Sequence, residues 1–400
     1  MKLFQQEFKV SYSYPVYFTE DIFQKDNPVF FDVINSDAPG NIKLLFVVDS
    51  EVDRLQPYLK SKLADYIKGR QGPRIIDYNY IVIPGGEECK NDTKYLFQII
   101  NAIDESHLCR HSYIVGIGGG AVLDVTGFAA AIAHRGIRHI RIPTTVLSMD
   151  DSGVGVKNGI NLYSKKNYLG TFVPPSAVII DPSFISTLPY KELIAGISEA
   201  IKVALVKDKE FFNFIKLNIN GIIKLNRKVL DEVIYKSAVL HLNHISSDDP
   251  FEKGTKRPLD FGHWAAHKIE QLSGFRISHG NAVAAGIALD STISLLLGNL
   301  SKEEWLDIIQ LLASLNYTLY FEEMAAEEEN GGIASSLIFG LEEFREHLGG
   351  ELTITMLNGI GNGFEIHRLP EDIIIRSVKI LYNLQLKYDR EKRISSYVLH

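Results

Sequence analysis

The spacing of apolar residues changes once along the chain, close to Thr187. Before that point short strand-like runs recur: Lys43–Val48, which is continuous and apolar up to Asp49, then Tyr80–Ile83, Ser112–Gly116, Arg138–Ile142 and Ala177–Ile180. Runs of this length, bounded by polar or glycine-rich turns, read as strands buried on both faces. Helical segments at 52–66 and 90–105 fall between the first three runs. That rhythm implies a parallel sheet covered by helices. Upstream, the alternation in Glu7-Phe8-Lys9-Val10-Ser11-Tyr12 predicts an exposed strand. Beyond Thr187 the pattern becomes helical, over 191–206, 211–225, 229–245, 263–272, 282–297, 303–315 and 371–386. The expected fold class is therefore α/β plus all-α. Residues 1–182 form a parallel-sheet domain and 183–400 a helical domain, with Pro182-Ser183 and Leu188-Pro189 punctuating the boundary. A chain of 400 residues also exceeds one comfortable core.

Composition narrows the function. The formal net charge of −7 argues against a nucleic-acid or anionic-membrane surface. Only two cysteines occur, Cys89 and Cys109, which fits a reducing compartment and excludes a disulfide scaffold. The N-terminal stretch has no apolar core of signal-peptide length, and the apolar run 282–298 is interrupted by Asp290, Ser291, Thr292 and Ser294. The expectation is a soluble cytoplasmic protein.

Candidate chemistry concentrates in a few stretches. In an open parallel sheet, ligands bind at the carboxyl ends of the strands. Those ends carry Asp49, then Pro84-Gly85-Gly86-Glu87-Glu88-Cys89-Lys90, then Gly116-Ile-Gly118-Gly119-Gly120-Ala121 with Asp124 one turn on. The glycines suit either a phosphate cradle at a helix N-terminus or simply a tight strand-to-helix turn. The lysine- and glycine-rich tract 150–167 reads equally as an exposed hairpin or an anion pocket. In the second half, His263 and His267 stand at i and i+4 of one helix, followed by His279-Gly280. Two imidazoles and a carboxylate from elsewhere would suit a catalytic divalent metal with one open position. The same spacing also fits histidines bonded to carbonyls. Glu199 and Lys202, at i and i+3, form either an intrahelical ion pair or part of that site.

Taken as ordered blocks from Asp49 to His347, the sequence resembles the sugar phosphate cyclases, the family of 3-dehydroquinate synthase. The blocks are GGEECK, GGGAVLDVTGFAA, AHRG, PTTVLSMDDSGVGVK, KKNYLGTF, ISEAIK, DFGHWAAHKIE and HGNAVAAGIALD. The resemblance implies an NAD-binding domain followed by a helical metal-binding domain, in a homodimer. Its cofactors would be NAD and one divalent metal, zinc first and cobalt as the other candidate. Carried over by position, Glu199, His263 and His279 correspond to the metal ligands. Asp49, Glu87, Lys90, Gly119, Gly120, Asp124, Thr144, Thr145, Asp151 and Lys166 correspond to NAD contacts. Lys157, Lys202, Lys236 and His267 would line the substrate site with Asn167, and Asn167 and Arg135 would face the substrate phosphate, Arg135 often from the neighbouring subunit. The implied partner is a small sugar phosphate, with no nucleic acid and no membrane.

The sequence departs from dehydroquinate synthase in two places. Asp260 stands where that enzyme has an asparagine, with Lys256 at the position of its carboxylate-binding arginine, and His347 stands where it has a lysine. A carboxylate at 260 would repel a substrate carboxylate, whereas a polyol hydroxyl can donate to it. Both changes resemble the branch that cyclises sedoheptulose 7-phosphate, the 2-epi-5-epi-valiolone synthase type. The alternatives are dehydroquinate synthase activity and an NAD- and metal-dependent polyol dehydrogenase of the glycerol dehydrogenase type. A third is a binding protein that has lost catalysis.

Overall fold

A computed structural model describes residues 3–36, 41–69, 75–163, 165–246, 249–251, 258–325, 336–347 and 350–398. The chain divides into two compact units, Met1–Leu188 and Pro189–His400. The short helix Pro182–Thr187 stays with the first unit.

In the first unit the strands are β1 (Val16–Phe18), β2 (Ile42–Asp49), β3 (Ile75–Ile83), β4 (Tyr113–Gly118), β5 (Arg138–Pro143), β6 (Lys157–Leu162), β7 (Lys165–Phe172) and β8 (Ala177–Ile180). Its helices are α1 (Val29–Ser36), α2 (Ser50–Leu55), α3 (Leu59–Gly69), α4 (Glu88–Asn91), α5 (Thr93–Glu105) and α6 (Gly120–Ile132). Six strands pair in parallel in the order β1-β8-β5-β4-β2-β3, and β6 and β7 form a separate antiparallel hairpin. Of the central strands, β4 has all six residues buried, as expected where both faces are covered, whereas β5 also buries His139 and Arg141. Parallel register aligns the strand ends, with Asp49 opposite Ile83, Val48 opposite Ile117 and Gly118 opposite Pro143. The turns after β2, β3, β4 and β5 therefore share one edge of the sheet.

Several boundaries differ from expectation. Residues 7–12 form no strand and are exposed; the edge strand is β1, farther on. The segment 52–66 is two helices, broken between Gln56 and Tyr58 around Pro57, which lacks an N–H for a continuous helix. Likewise 90–105 breaks at extended Asp92, whose side chain caps α5 by accepting from the Lys94 amide. The tract 150–167 resolves into a one-turn π-helix, Ser148–Ser152, followed by the β6–β7 hairpin.

The second unit contains α7 (Tyr190–Lys207), α8 (Lys209–Leu217), α9 (Ile219–Ile223), α10 (Arg227–Ile245), α11 (His263–Leu272), α12 (His279–Leu296), α13 (Lys302–Ser314), α14 (Ser336–His347) and α15 (Glu371–Val398). It also holds an unforeseen antiparallel pair, β9 (Ile354–Leu357) and β10 (Gly363–Ile366). α12 is buried along nearly its whole length and packs against α7, α11, α13 and α15. Two glycines let backbones meet there. A Cβ at Gly280 would lie 2.0 Å from the Ala195 carbonyl oxygen of α7, and one at Gly286 would lie 2.0 Å from that of Gly262, just before α11. Larger residues would push these helices apart. Among the described residues, no helix is long and apolar enough to cross a membrane.

Candidate active site

The close approach of α7, α11 and α12 brings Glu199, His263 and His279 together. Glu199 Oε1 is 3.5 Å from His263 Nε2 and 3.5 Å from His279 Nε2. Bonds of about 2.1 Å at tetrahedral angles separate ligand atoms by about 3.4 Å, so one divalent ion fits among the three. The outer edges of both rings are held. His279 Nδ1 is 3.0 Å from Glu270 Oε2, and His263 Nδ1 is 3.3 Å from the Phe261 carbonyl oxygen. Donation from Nδ1 in each case leaves the Nε2 lone pair for a metal. Glu199 is buried and its other oxygen, Oε2, lies 2.5 Å from Lys202 Nζ.

Electrostatics bind the cluster into a unit. Burial would raise the Glu199 pKa, but Lys202 and His279 outweigh it and bring it down to about 2. Burial would lower that of His279, but Glu270 and Glu199 outweigh it and carry it up to about 10. A metal ion would therefore replace a proton between two carboxylates. His267, Glu270 and His279 form a second grouping of ligand atoms. Its Glu270–His279 separation of 3.0 Å is a hydrogen-bond distance, shorter than ligands sharing an ion require. Glu270 thus orients His279. The exposed His267 ring stands 5.5 Å from that of His263 and 6.0 Å from that of His279.

In the first unit the shared strand edge gathers another set. Gly119 is the N-cap of α6 and has no side chain to bond its first turn, while its own amide donates to Asp49. A Cβ on Gly120 would fall 2.4 Å from Ser152 Oγ, and one on Gly85 would fall 2.4 Å from Asp49 Oδ2. The buried hydroxyls of Thr144 and Ser152 have no hydrogen-bond partner among the described residues. A helix N-terminus, closely approached glycines and these hydroxyls together fit a phosphate-bearing ligand. Burial raises the pKa of Asp49, against donation from the amides of Glu51, Gly119 and Val52. Asp124 lies 2.7 Å from the buried Lys90 ammonium, which also bonds Asn167. Glu87 accepts from Asn161 at 2.6 Å and lies 3.7 Å from Lys166. Thr145 packs beside Gly119, and Asp151 belongs to the π-turn next to Ser152.

The sequence profile of the 3-dehydroquinate synthase N-terminal domain matches residues 80–195, and that of its C-terminal domain matches 196–333. The chain belongs to the 3-dehydroquinate synthase family. Among curated relatives, a 3-dehydroquinate synthase of Sulfolobus acidocaldarius is 31% identical over 80% of this chain and 86% of its own. One from Alkaliphilus metalliredigens is 30% identical over 86% of this chain and 91% of its own. Among solved structures, ValA, a 2-epi-5-epi-valiolone synthase from Streptomyces hygroscopicus subsp. jinggangensis with NAD+ and Zn2+ bound, superposes with a TM-score of 0.84. It is 25% identical, with 95% of this chain and 99% of that one covered. A 2-deoxy-scyllo-inosose synthase complexed with carbaglucose-6-phosphate, NAD+ and Co2+ shares the fold, with a TM-score of 0.70 at 22% identity over 91% of this chain and 95% of its own.

Some family positions lie apart from the two sets or are held differently from what the resemblance implies. Arg135 is exposed and precedes β5, so it sits at the amino edge of the sheet, opposite the edge that carries Gly119 and Thr144. There it lines an open pocket of about 430 Å³ with Cys109, Arg110, His111 and His134. Asn167, expected to face a substrate phosphate, is held by Lys90 and by its own amide bond to Asn161 Oδ1. Lys236 pairs within α10, 3.2 Å from Glu232, and lies over the Phe214 ring. Lys157 is exposed at the start of β6, and Asp260 is half-buried in the turn before α11. His347 ends α14, but its side chain, like Lys256, lies outside the described residues.

Three residues went unassigned in the sequence. Glu270 orients His279, as described. Asp290, on α12, accepts from the Gly262 amide at 2.7 Å and the Trp264 indole at 2.9 Å, clamping the turn that starts α11 on either side of His263. Burial pushes its pKa up to about 7. Arg141 is wholly buried in β5. For Asp290 the available signal was a lone charge inside an apolar run, whereas Arg141, in Arg138-His-Ile-Arg-Ile142, offered none.

Proposed function

We propose that this chain is a sugar phosphate cyclase that converts sedoheptulose 7-phosphate to a valiolone-type cyclitol, releasing phosphate with no net redox change. It would use NAD at the strand edge of the first unit and one divalent ion at Glu199, His263 and His279 in the second. The observation that carries this reading is the convergence of those three side chains with both outer imidazole nitrogens already held. When bound, the ion supplies polarisation of a substrate hydroxyl, and NAD supplies a reversible hydride acceptor.

The protein's own groups do the rest. Glu270 and the Phe261 carbonyl keep both imidazoles in the ligating tautomer. Lys202, buried beside Glu199, places a fixed positive charge where a substrate oxygen gains negative charge. Lys157 neutralises the departing phosphate. His267, next to the two ligating rings and open to solvent, passes protons. Arg135 lies at the sheet edge opposite Gly119 and Thr144, and by the family resemblance it would reach a substrate phosphate from a neighbouring copy in a homodimer.

Asp260 favours sedoheptulose 7-phosphate over a carboxylated sugar, since two carboxylates repel and a hydroxyl can donate. The second reading is 3-dehydroquinate synthase activity, favoured by the names of the curated relatives. Purified protein supplied with NAD and Zn2+ and given each sugar phosphate separates the two by phosphate release. Turnover of only the carboxylated sugar overturns the first reading. Net NADH accumulation would point instead to a polyol dehydrogenase.

A further inference from the structure

Arg141 is 1% exposed, in a strand paired on both sides, yet its guanidinium meets no carboxylate in its hydrogen bonds. Nη1 donates to the carbonyls of Ser152, Gly153 and Gly155 at 3.2, 3.3 and 3.0 Å. Nη2 donates to the Lys157 carbonyl at 2.6 Å and to Asn158 Oδ1 at 2.7 Å. Two remaining carbonyls of the segment are satisfied by neighbours: Val154 by the Tyr14 hydroxyl at 2.7 Å, and Val156 by the Val173 amide at 2.9 Å. Every carbonyl from Ser152 to Lys157 therefore has a donor, and Arg141 supplies most of them. Residues 153–156 lie between the π-turn and β6, and without this hub the carbonyls of Ser152, Gly153, Gly155 and Lys157 would lose the side-chain donor they share.

The segment joins two functional ends. Asp151 and Ser152 close the π-turn against Gly120, and Lys157 opens β6. We infer that Arg141 is a positioning residue for the reaction: its fork of donors fixes the 152–157 segment so that the cofactor-side Asp151 and the phosphate-side Lys157 are held in register. This rests on the reading given under Proposed function. A lysine could not replace it, because a point-like ammonium with three donors cannot reach five divergent acceptors.

The test uses full-length Arg141→Lys and Arg141→Gln, supplied with NAD and Zn2+. Amide hydrogen exchange, which needs no substrate, should speed up over 153–158 while β2 and β4 keep their protection. NAD binding should weaken about tenfold, and kcat should fall about 100-fold, more than KM changes, as for a displaced catalytic group. Guanidinium ion should restore part of the activity of Arg141→Ala, and methylammonium should not. Wild-type exchange over 153–158 with unchanged kcat in a folded Arg141→Lys protein would overturn the inference. If Arg141→Gln fails to fold, Arg141→Lys carries the comparison. If the wild-type chain releases phosphate from no sugar phosphate, the functional reading falls, while the exchange and NAD-binding measurements still decide the role of Arg141.

Discussion

Replacing Glu270 removes the group that fixes the Nδ1 edge of His279. The contact is 3.0 Å long, and the Glu270 side chain is 3% exposed, so water cannot readily substitute. Loss of such an outer partner typically weakens metal binding 10- to 100-fold, about 1.4–2.7 kcal/mol. Glu270→Gln keeps an acceptor for the Nδ1–H and loses only the charge, so its expected loss is about tenfold, at the low end of that range. Glu270→Ala leaves a buried donor unpaired and should approach 100-fold. The assay is competition for Zn2+ against a chelator of known affinity, with metal-free melting followed in parallel to detect general damage. Glu199→Gln supplies the internal standard, because removing a direct ligand should abolish stoichiometric binding. Affinity within about twofold of wild type for both Glu270 variants would refute the orienting role. Abolished binding in Glu270→Ala with normal binding in Glu199→Gln would move the ion to His267, Glu270 and His279.

Gly280→Ala should force α12 away from α7, because the added Cβ falls 2.0 Å from the Ala195 carbonyl. A cost of about 1–3 kcal/mol in denaturant unfolding is expected, together with weaker Zn2+ binding. Asp290 gives a pH signature: its pKa is raised to about 7, so its protonated form is favoured by folding. Its contribution is full below the usual carboxylate pKa and is lost as pH rises toward 7, about 4 kcal/mol across the window. Urea unfolding of wild type and Asp290→Asn from pH 4 to pH 7 should show that difference, and parallel curves would contradict it. Lys90→Met strands Asp124 and Asn167, and should cost about 3–5 kcal/mol of stability and weaken NAD binding measured by calorimetry.

The parallel sheet was legible because strands covered on both faces are largely apolar, as in β4 and in Leu44–Val48 of β2. The long helices were legible for the same reason, since α12 is buried on every side. Helix breaks at Pro57 and Asp92 were harder, because an amphipathic rhythm continues across them. The three metal-ligand candidates could be named from spacing and resemblance, but their convergence depended on Gly280 and Gly286, whose value lies in the space they leave. Glu270 lies nine residues from its partner on a different helix, so periodicity could not pair them. Arg141 sits between Ile140 and Ile142 and read as an ordinary strand position, and its partners lie on a loop no local pattern predicts. Arg135 shows the opposite limit: a motif names the residue, while topology decides which edge of the sheet it occupies.

The most direct measurement is phosphate release from sedoheptulose 7-phosphate by the NAD- and Zn2+-supplied protein, with NADH absorbance followed in the same cuvette. The account predicts continuous release of phosphate, no net NADH, and loss of both turnover and bound Zn2+ in Glu199→Gln. Undiminished phosphate release by a Glu199→Gln protein free of metal would contradict it.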